Sequence, residues 1–113
     1  MRAAWLVGFA LAGCFHAHGT VKDAQQATYK MTGAAMMSLA EDVARKDKLA
    51  VTNVDDKQLT FDAGGSRVIV LELAGGDCSI DVRPKTEDDA AKQRANNLAV
   101  SIYDRAKAFA YSH

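Results

Sequence analysis

The stretch Leu49-Ala-Val-Thr-Asn-Val-Asp-Asp-Lys-Gln-Leu-Thr-Phe-Asp-Ala-Gly-Gly-Ser-Arg-Val-Ile-Val-Leu-Glu-Leu-Ala-Gly-Gly-Asp-Cys-Ser-Ile-Asp-Val-Arg-Pro84 decides the fold. Two Gly-Gly pairs, Gly64-Gly65 and Gly75-Gly76, sit between runs rich in β-branched residues. Glycine takes positive φ without penalty, so each pair marks a hairpin loop. Leu59 and Phe61 alternate with Thr60 and Asp62, and Cys78, Ile80 and Val82 alternate with Ser79, Asp81 and Arg83. Period two is the signature of a half-buried strand. Asp55-Asp56-Lys57 turns the first run, 49–54, into the second. A four-stranded antiparallel meander follows, ended by Pro84.

Val68-Ile69-Val70-Leu71 breaks the alternation. Consecutive apolar residues predict a central strand with both faces at least partly covered. Helices on one face would leave one pair of these residues on the other. Which pair it is does not follow from sequence, because a one-residue slip exchanges the faces. Val68, Ile69, Val70 and Leu71 are therefore the candidate partner surface, for an envelope protein or for a second copy.

Helices flank the meander. Downstream, Thr86-Glu87-Asp88-Asp89 reads as a capping-box-like start with acids in the first turn. Ala91, Ala95, Leu98, Ile102, Ala106 and Phe109 then step by three and four, giving a helix to about residue 110. Upstream, Thr32 can cap a helix over 33–47, with Met36, Leu39, Ala40 and Val43 on one face. Residues 24–31 fit two patterns. Ala27, Tyr29 and Met31 alternate as in a strand, whereas Val21, Ala24, Thr28, Met31 and Ala35 step as in a helix. A single helix over 21–47 would bury Gly33 in its interior at about 1 kcal/mol, which favours a strand over 25–31. The expected class is α+β. A four- to five-stranded antiparallel sheet packs two helices on one face, in the order β-α-β-β-β-β-α.

The chain begins Met1-Arg2, then an apolar run from Ala3 to Ala12, then Leu11-Ala12-Gly13-Cys14. The run has the length of a signal-peptide core and falls short of the roughly 20 residues of a membrane-spanning helix. Leu11-Ala12-Gly13-Cys14 resembles the lipobox of bacterial lipoproteins. That resemblance implies diacylglyceryl transfer to Cys14 and cleavage between Gly13 and Cys14. It also implies a periplasmic domain held on the membrane by lipid. Phe15 stands where an Asp tends to retain such proteins at the inner membrane, so the outer membrane is favoured. Residues 1–13 are then the signal peptide, 14–23 the lipidated cysteine and tether, and 24–113 a single domain. The layout of that domain loosely resembles small periplasmic lipoproteins with a helix, a meander and a C-terminal helix. No activity comes with that likeness.

Composition narrows the function. The 14 Lys and Arg balance the 14 Asp and Glu, so no basic surplus suits nucleic acid or anionic lipid. With Cys14 lipidated, Cys78 is left alone and cannot staple the fold. Its shared face with Ile80 and Val82 predicts burial. His16 and His18 could meet one metal, but two imidazoles alone bind weakly, and no metal or other cofactor is expected. Asp55-Asp56 and Glu87-Asp88-Asp89 lack EF-hand spacing. Neither Gly-Gly loop continues as a phosphate loop, and no nucleophile is paired with a base. Met31, Met36 and Met37 read as core filler. The expectation is a non-catalytic, membrane-anchored lipoprotein that binds another envelope protein. The alternative is a periplasmic ligand- or metal-binding lipoprotein.

Overall fold

A computed structural model describes the backbone of residues 19–112 and the side chains of residues 19–109. The meander forms β1 (Val51–Asp55), β2 (Thr60–Ala63), β3 (Ser66–Glu72) and β4 (Cys78–Pro84). All neighbours are antiparallel, in the order β1-β2-β3-β4. Gly64, Gly65, Gly75 and Gly76 all have positive φ, as the hairpin loops require. The β2–β3 loop sets Ala63 opposite Ser66, which puts Phe61 opposite Val68 and Asp62 opposite Arg67.

Register settles which way β3 faces. Val68 lies between Phe61 and Val82, and Val70 lies opposite Ile80. All five side chains are buried in one cluster with the helices. Ile69 and Leu71 point to the other side. A one-residue bulge interrupts β1 between Thr52 and Asp55, and Asn53 within it has φ 52°. Bulges of this kind blunt an exposed sheet edge against further pairing.

Helix α2 (Gly33–Lys46) starts where the sequence placed it, with the Thr32 hydroxyl accepting from the Ala35 amide. It ends in a Schellman turn. Lys48 takes φ 64°, its N–H bonds the Arg45 carbonyl, and the Leu49 N–H reaches the Ala44 carbonyl. Helix α3 (Asp89–Ser112) begins slightly later than its sequence signal suggests. Asp88 caps it by accepting from the Ala91 amide at 2.7 Å. Met36, Met37, Ala40, Val43 and Ala44 of α2 meet Ala95, Leu98, Ala99 and Ile102 of α3 over the inward sheet face. Burying an aromatic or branched side chain here contributes about 1.5–3 kcal/mol.

The segment before α2 differs from the sequence expectation. Residues 25–31 form no strand. A short helix, α1 (Val21–Gln26), comes first, and only Tyr29 pairs with β4, through a single bridge to Cys78. The physical reason is a capping box. The Thr20 hydroxyl accepts from the Asp23 amide, and the Asp23 carboxylate accepts from the Thr20 amide. Ala24 then buries completely within the core. The observed order is α-α-β-β-β-β-α, an α+β sandwich with all helices on one sheet face. The domain also begins earlier than residue 24. The Gly19 amide donates to Asp104 Oδ1 of α3 at 2.8 Å, so residues 19–23 belong to the fold and not to a tether.

Candidate functional site: the open face of the sheet

The face of the sheet away from the helices is the candidate site. Rows of side chains cross it in register. Leu71 stands opposite Ser79, Ile69 lies between Thr60 and Asp81, and Arg67 lies between Asp62 and Arg83. Leu71 is 47% exposed and Ile69 is half-buried. Of the four residues proposed for a partner surface, only these two are available. Val68 and Val70 are core residues and leave the candidate surface, which settles the pair that the sequence left open. The physical cause is the hairpin register, which pairs them with Phe61 and Ile80. The open face is thus mixed, with a short apolar stretch bordered by hydroxyls and charges.

Asp62 organises the polar half of this face. It is almost completely buried, yet it sits on the side away from the helices. Its carboxylate accepts from Asn53 Nδ2 at 2.8 Å, Arg67 Nε at 3.0 Å and Lys85 Nζ at 2.9 Å. These donors come from β1, β3 and the segment after β4. Hydrogen bonds from Arg67, then Lys85, then Asn53 hold the carboxyl well below the usual aspartate range. Arg67 and Arg83 face each other across β3 and β4, which alone would be repulsive. Asp62 neutralises the first, and Asp81 neutralises the second at 2.7 Å. With its bonds satisfied from three sides, Asp62 is a structural clasp.

The remaining candidates take structural positions too. Cys78 is fully buried, and burial first, then the charges of Asp77 and Glu72, push its thiol pKa up. A thiol so placed is a poor nucleophile. Asp55 Oδ1 accepts from the Lys57 and Gln58 amides and closes the β1–β2 turn. Thr86 donates to Asp88, which caps α3. Met36 and Met37 are core, whereas Met31 is half-buried. Gly13, Cys14, His16, His18 and His113 lie outside the described residues. Among the described residues, no group of three or more His, Cys, Asp or Glu could hold a metal ion. No described helix is long and apolar enough to cross a membrane.

A second concavity lies on the helical side. A cleft of about 360 Å³ runs between α2 and α3, lined by Met31, Ala35, Ser38, Leu39, Asp42, Arg105 and Phe109. Arg105 Nη2 bonds Asp42 Oδ2 at 3.0 Å across it. The rest of its lining is largely apolar.

The Asp62 clasp is the feature that residue-by-residue reading missed. Asp62 reads as the polar half of an alternation, and its donors lie up to 23 residues away. One signal was present. A Gly64-Gly65 hairpin that pairs 63 with 66 also pairs Asp62 with Arg67.

Comparisons with protein-family models, with curated proteins and with solved structures found no match to this chain.

Proposed function

We propose that this chain is a small lipoprotein of the bacterial cell envelope, anchored on the periplasmic side by lipid on Cys14. Its folded domain works by binding another envelope protein and not by catalysis. The observation that carries this reading is the junction between anchor and domain. The lipobox-like Leu11-Ala12-Gly13-Cys14 ends five residues before Gly19, which is hydrogen-bonded to α3. The open sheet face, with Ile69 and Leu71 between hydroxyls and ion pairs, supplies the binding surface. Apolar residues ringed by polar ones are the usual make-up of such a contact.

The test has two parts. Cys14→Ser should release the protein from the membrane fraction and abolish incorporation of labelled fatty acid. A photocrosslinking residue at Leu71 in intact cells should give one discrete adduct that disappears with Ile69→Lys. A Cys14→Ser variant that fractionates as the parent does, with no lipid on either, refutes the anchor. An unchanged adduct in the Ile69→Lys background refutes the surface.

The α2–α3 cleft favours a second reading, in which the domain binds a small apolar ligand. Its volume falls in the range of ligand sites. That reading expects saturable binding of a fluorescent fatty acid, lost on Leu39→Asp.

A further inference from the structure

We infer that one end of the domain rests on the lipid bilayer, so that the strands stand along the membrane normal and the open face looks sideways. This inference rests on the reading of Cys14 as the lipid anchor. It adds which surface the anchor holds against the membrane.

The observation is the distribution of exposed apolar side chains. Among the described residues, the large ones more than 40% exposed are Val54, Leu71, Leu73 and Phe109. They come from three elements, yet they share one end of the sandwich. Val54 adjoins Asp55, which opens the β1–β2 turn. Leu73 follows Glu72, the last residue of β3, in the β3–β4 turn, and Leu71 is the open-face residue that borders this end without facing the bilayer. In an antiparallel meander those two turns lie at the same end. Phe109 reaches it along α3. The Tyr103 ring meets the Tyr29 ring edge-on at 6.4 Å, and Tyr29 pairs with Cys78, the first residue of β4. Six residues further along α3, about 9 Å at 1.5 Å per residue, Phe109 lies past that strand end. The opposite end has the β2–β3 turn, the Asp62 clasp and the start of α3. Among the described residues it has no comparably exposed large apolar side chain.

The chain itself points the apolar end at the membrane. Gly19 is bound to Asp104, next to Tyr103 and so at that same end. Any Cβ on Gly19 would overlap the Tyr103 ring, so the backbone lies directly against α3 there. Cys14 is five residues away and can be at most about 18 Å from Gly19. Phe109 and the start of α3 are 20 residues apart, about 30 Å along the helix. A tether so short holds the Phe109 end near the bilayer more readily than the other.

The chemistry of that end suits the headgroup layer. Lys107 Nζ stands 5.2 Å over the Tyr103 ring, an aromatic and a cation of the types found at membrane interfaces. At that end the acids, Asp23 and Asp104 included, outnumber the lysines Lys22, Lys30, Lys57 and Lys107, so contact depends on apolar burial and not on anionic lipid.

The test uses the lipidated protein in phosphatidylcholine vesicles. The only tryptophan, Trp5, leaves with the signal peptide, so a new one reports alone. Leu73→Trp and Phe109→Trp probe the apolar end, and Glu87→Trp, exposed in the turn before α3, probes the other. Val54→Trp replaces either apolar-end variant whose circular dichroism departs from the parent's. Lipids brominated on their acyl chains should quench most of the emission of the apolar-end variants and leave Glu87→Trp unchanged. Equal quenching at both ends, or quenching only of Glu87→Trp, overturns the inference. So does an emission shift at the apolar end that grows with protein density and ignores bromine, which would place a second copy there. Fatty-acid labelling of the same preparation separates the failures. Without label on Cys14 the anchor reading falls first; with label and no preferential quenching, only the orientation falls.

Discussion

Replacing Asp62 with Ala should destabilise the domain by about 2 kcal/mol at pH 7. The side chain is 5% exposed and accepts from three donors. A hydrogen bond to a charged group contributes roughly 1.5–3 kcal/mol when well buried. The Arg67 and Lys85 side chains are 52% and 42% exposed, so both cations rehydrate when the carboxylate is removed. Solvent screening brings each bond to well under 1 kcal/mol, and the three together give the figure above. For a domain near 100 residues, ~2 kcal/mol lowers Tm by about 10 °C. The pH dependence has a definite sign. The folded carboxyl is held below its ordinary value of 3.8, so the unfolded chain takes up the proton first as pH falls. The stabilisation is complete above the unfolded pKa and is lost as pH drops toward the folded one. The gap between parent and Asp62→Ala should therefore be constant from pH 7 to about 5 and narrow below 4. Thermal unfolding by circular dichroism at pH 7, 5 and 3 measures it. A Tm within about 2 °C of the parent at pH 7, or a gap that does not narrow under acid, would refute the clasp.

Four further outcomes test the fold and its faces. Lys at Val68 and Val70 together should prevent folding, because two unpaired charges would be buried in the core. Lys at Ile69 and Leu71 together should leave the far-ultraviolet spectrum intact, and loss of both folds would mean that the open face is covered within the monomer. Cys78 should react with a thiol reagent only after denaturant is added, and rapid labelling of native protein would contradict its burial. Gly19→Ala should loosen α1 by about 1 kcal/mol, the centre of the range for single substitutions, because the added methyl group must displace the Tyr103 ring, seen as faster amide exchange in residues 20–26 with the sheet unaffected. Unchanged exchange there would show that the chain does not lie against Tyr103.

Local chemistry carried most of the fold. The Gly-Gly pairs demanded positive φ, Thr32 offered a cap, and the apolar steps from Ala91 to Ala106 marked a buried helix face, so the meander and both long helices were legible. The segment before α2 was not. Tyr29 alternates with its neighbours as a strand residue does, and it does pair with Cys78. The helix before it depends on the Thr20–Asp23 capping box and on burying Ala24 within the core. The second of these is a contact between distant parts of the chain. Register was ambiguous for a similar reason. Val68-Ile69-Val70-Leu71 has apolar groups on both sides, and only pairing with Phe61 and Ile80 decides which go inward. The candidate surface was accordingly half legible, with Ile69 and Leu71 outward and Val68 and Val70 inward. The proposed anchor is a different case, since it rests on four contiguous residues, Leu11-Ala12-Gly13-Cys14, that lie outside the described ones.

The central claim is that the mature protein begins at a lipid-bearing Cys14 and that everything after it is one binding domain. The intact mass of the protein extracted from its native membrane tests this most directly. The predicted result is a polypeptide starting at Cys14 and heavier than its sequence by a diacylglyceryl group, with or without a further acyl chain. A chain that still carries Met1-Arg2, or one in which Cys14 has an unmodified thiol, would contradict it.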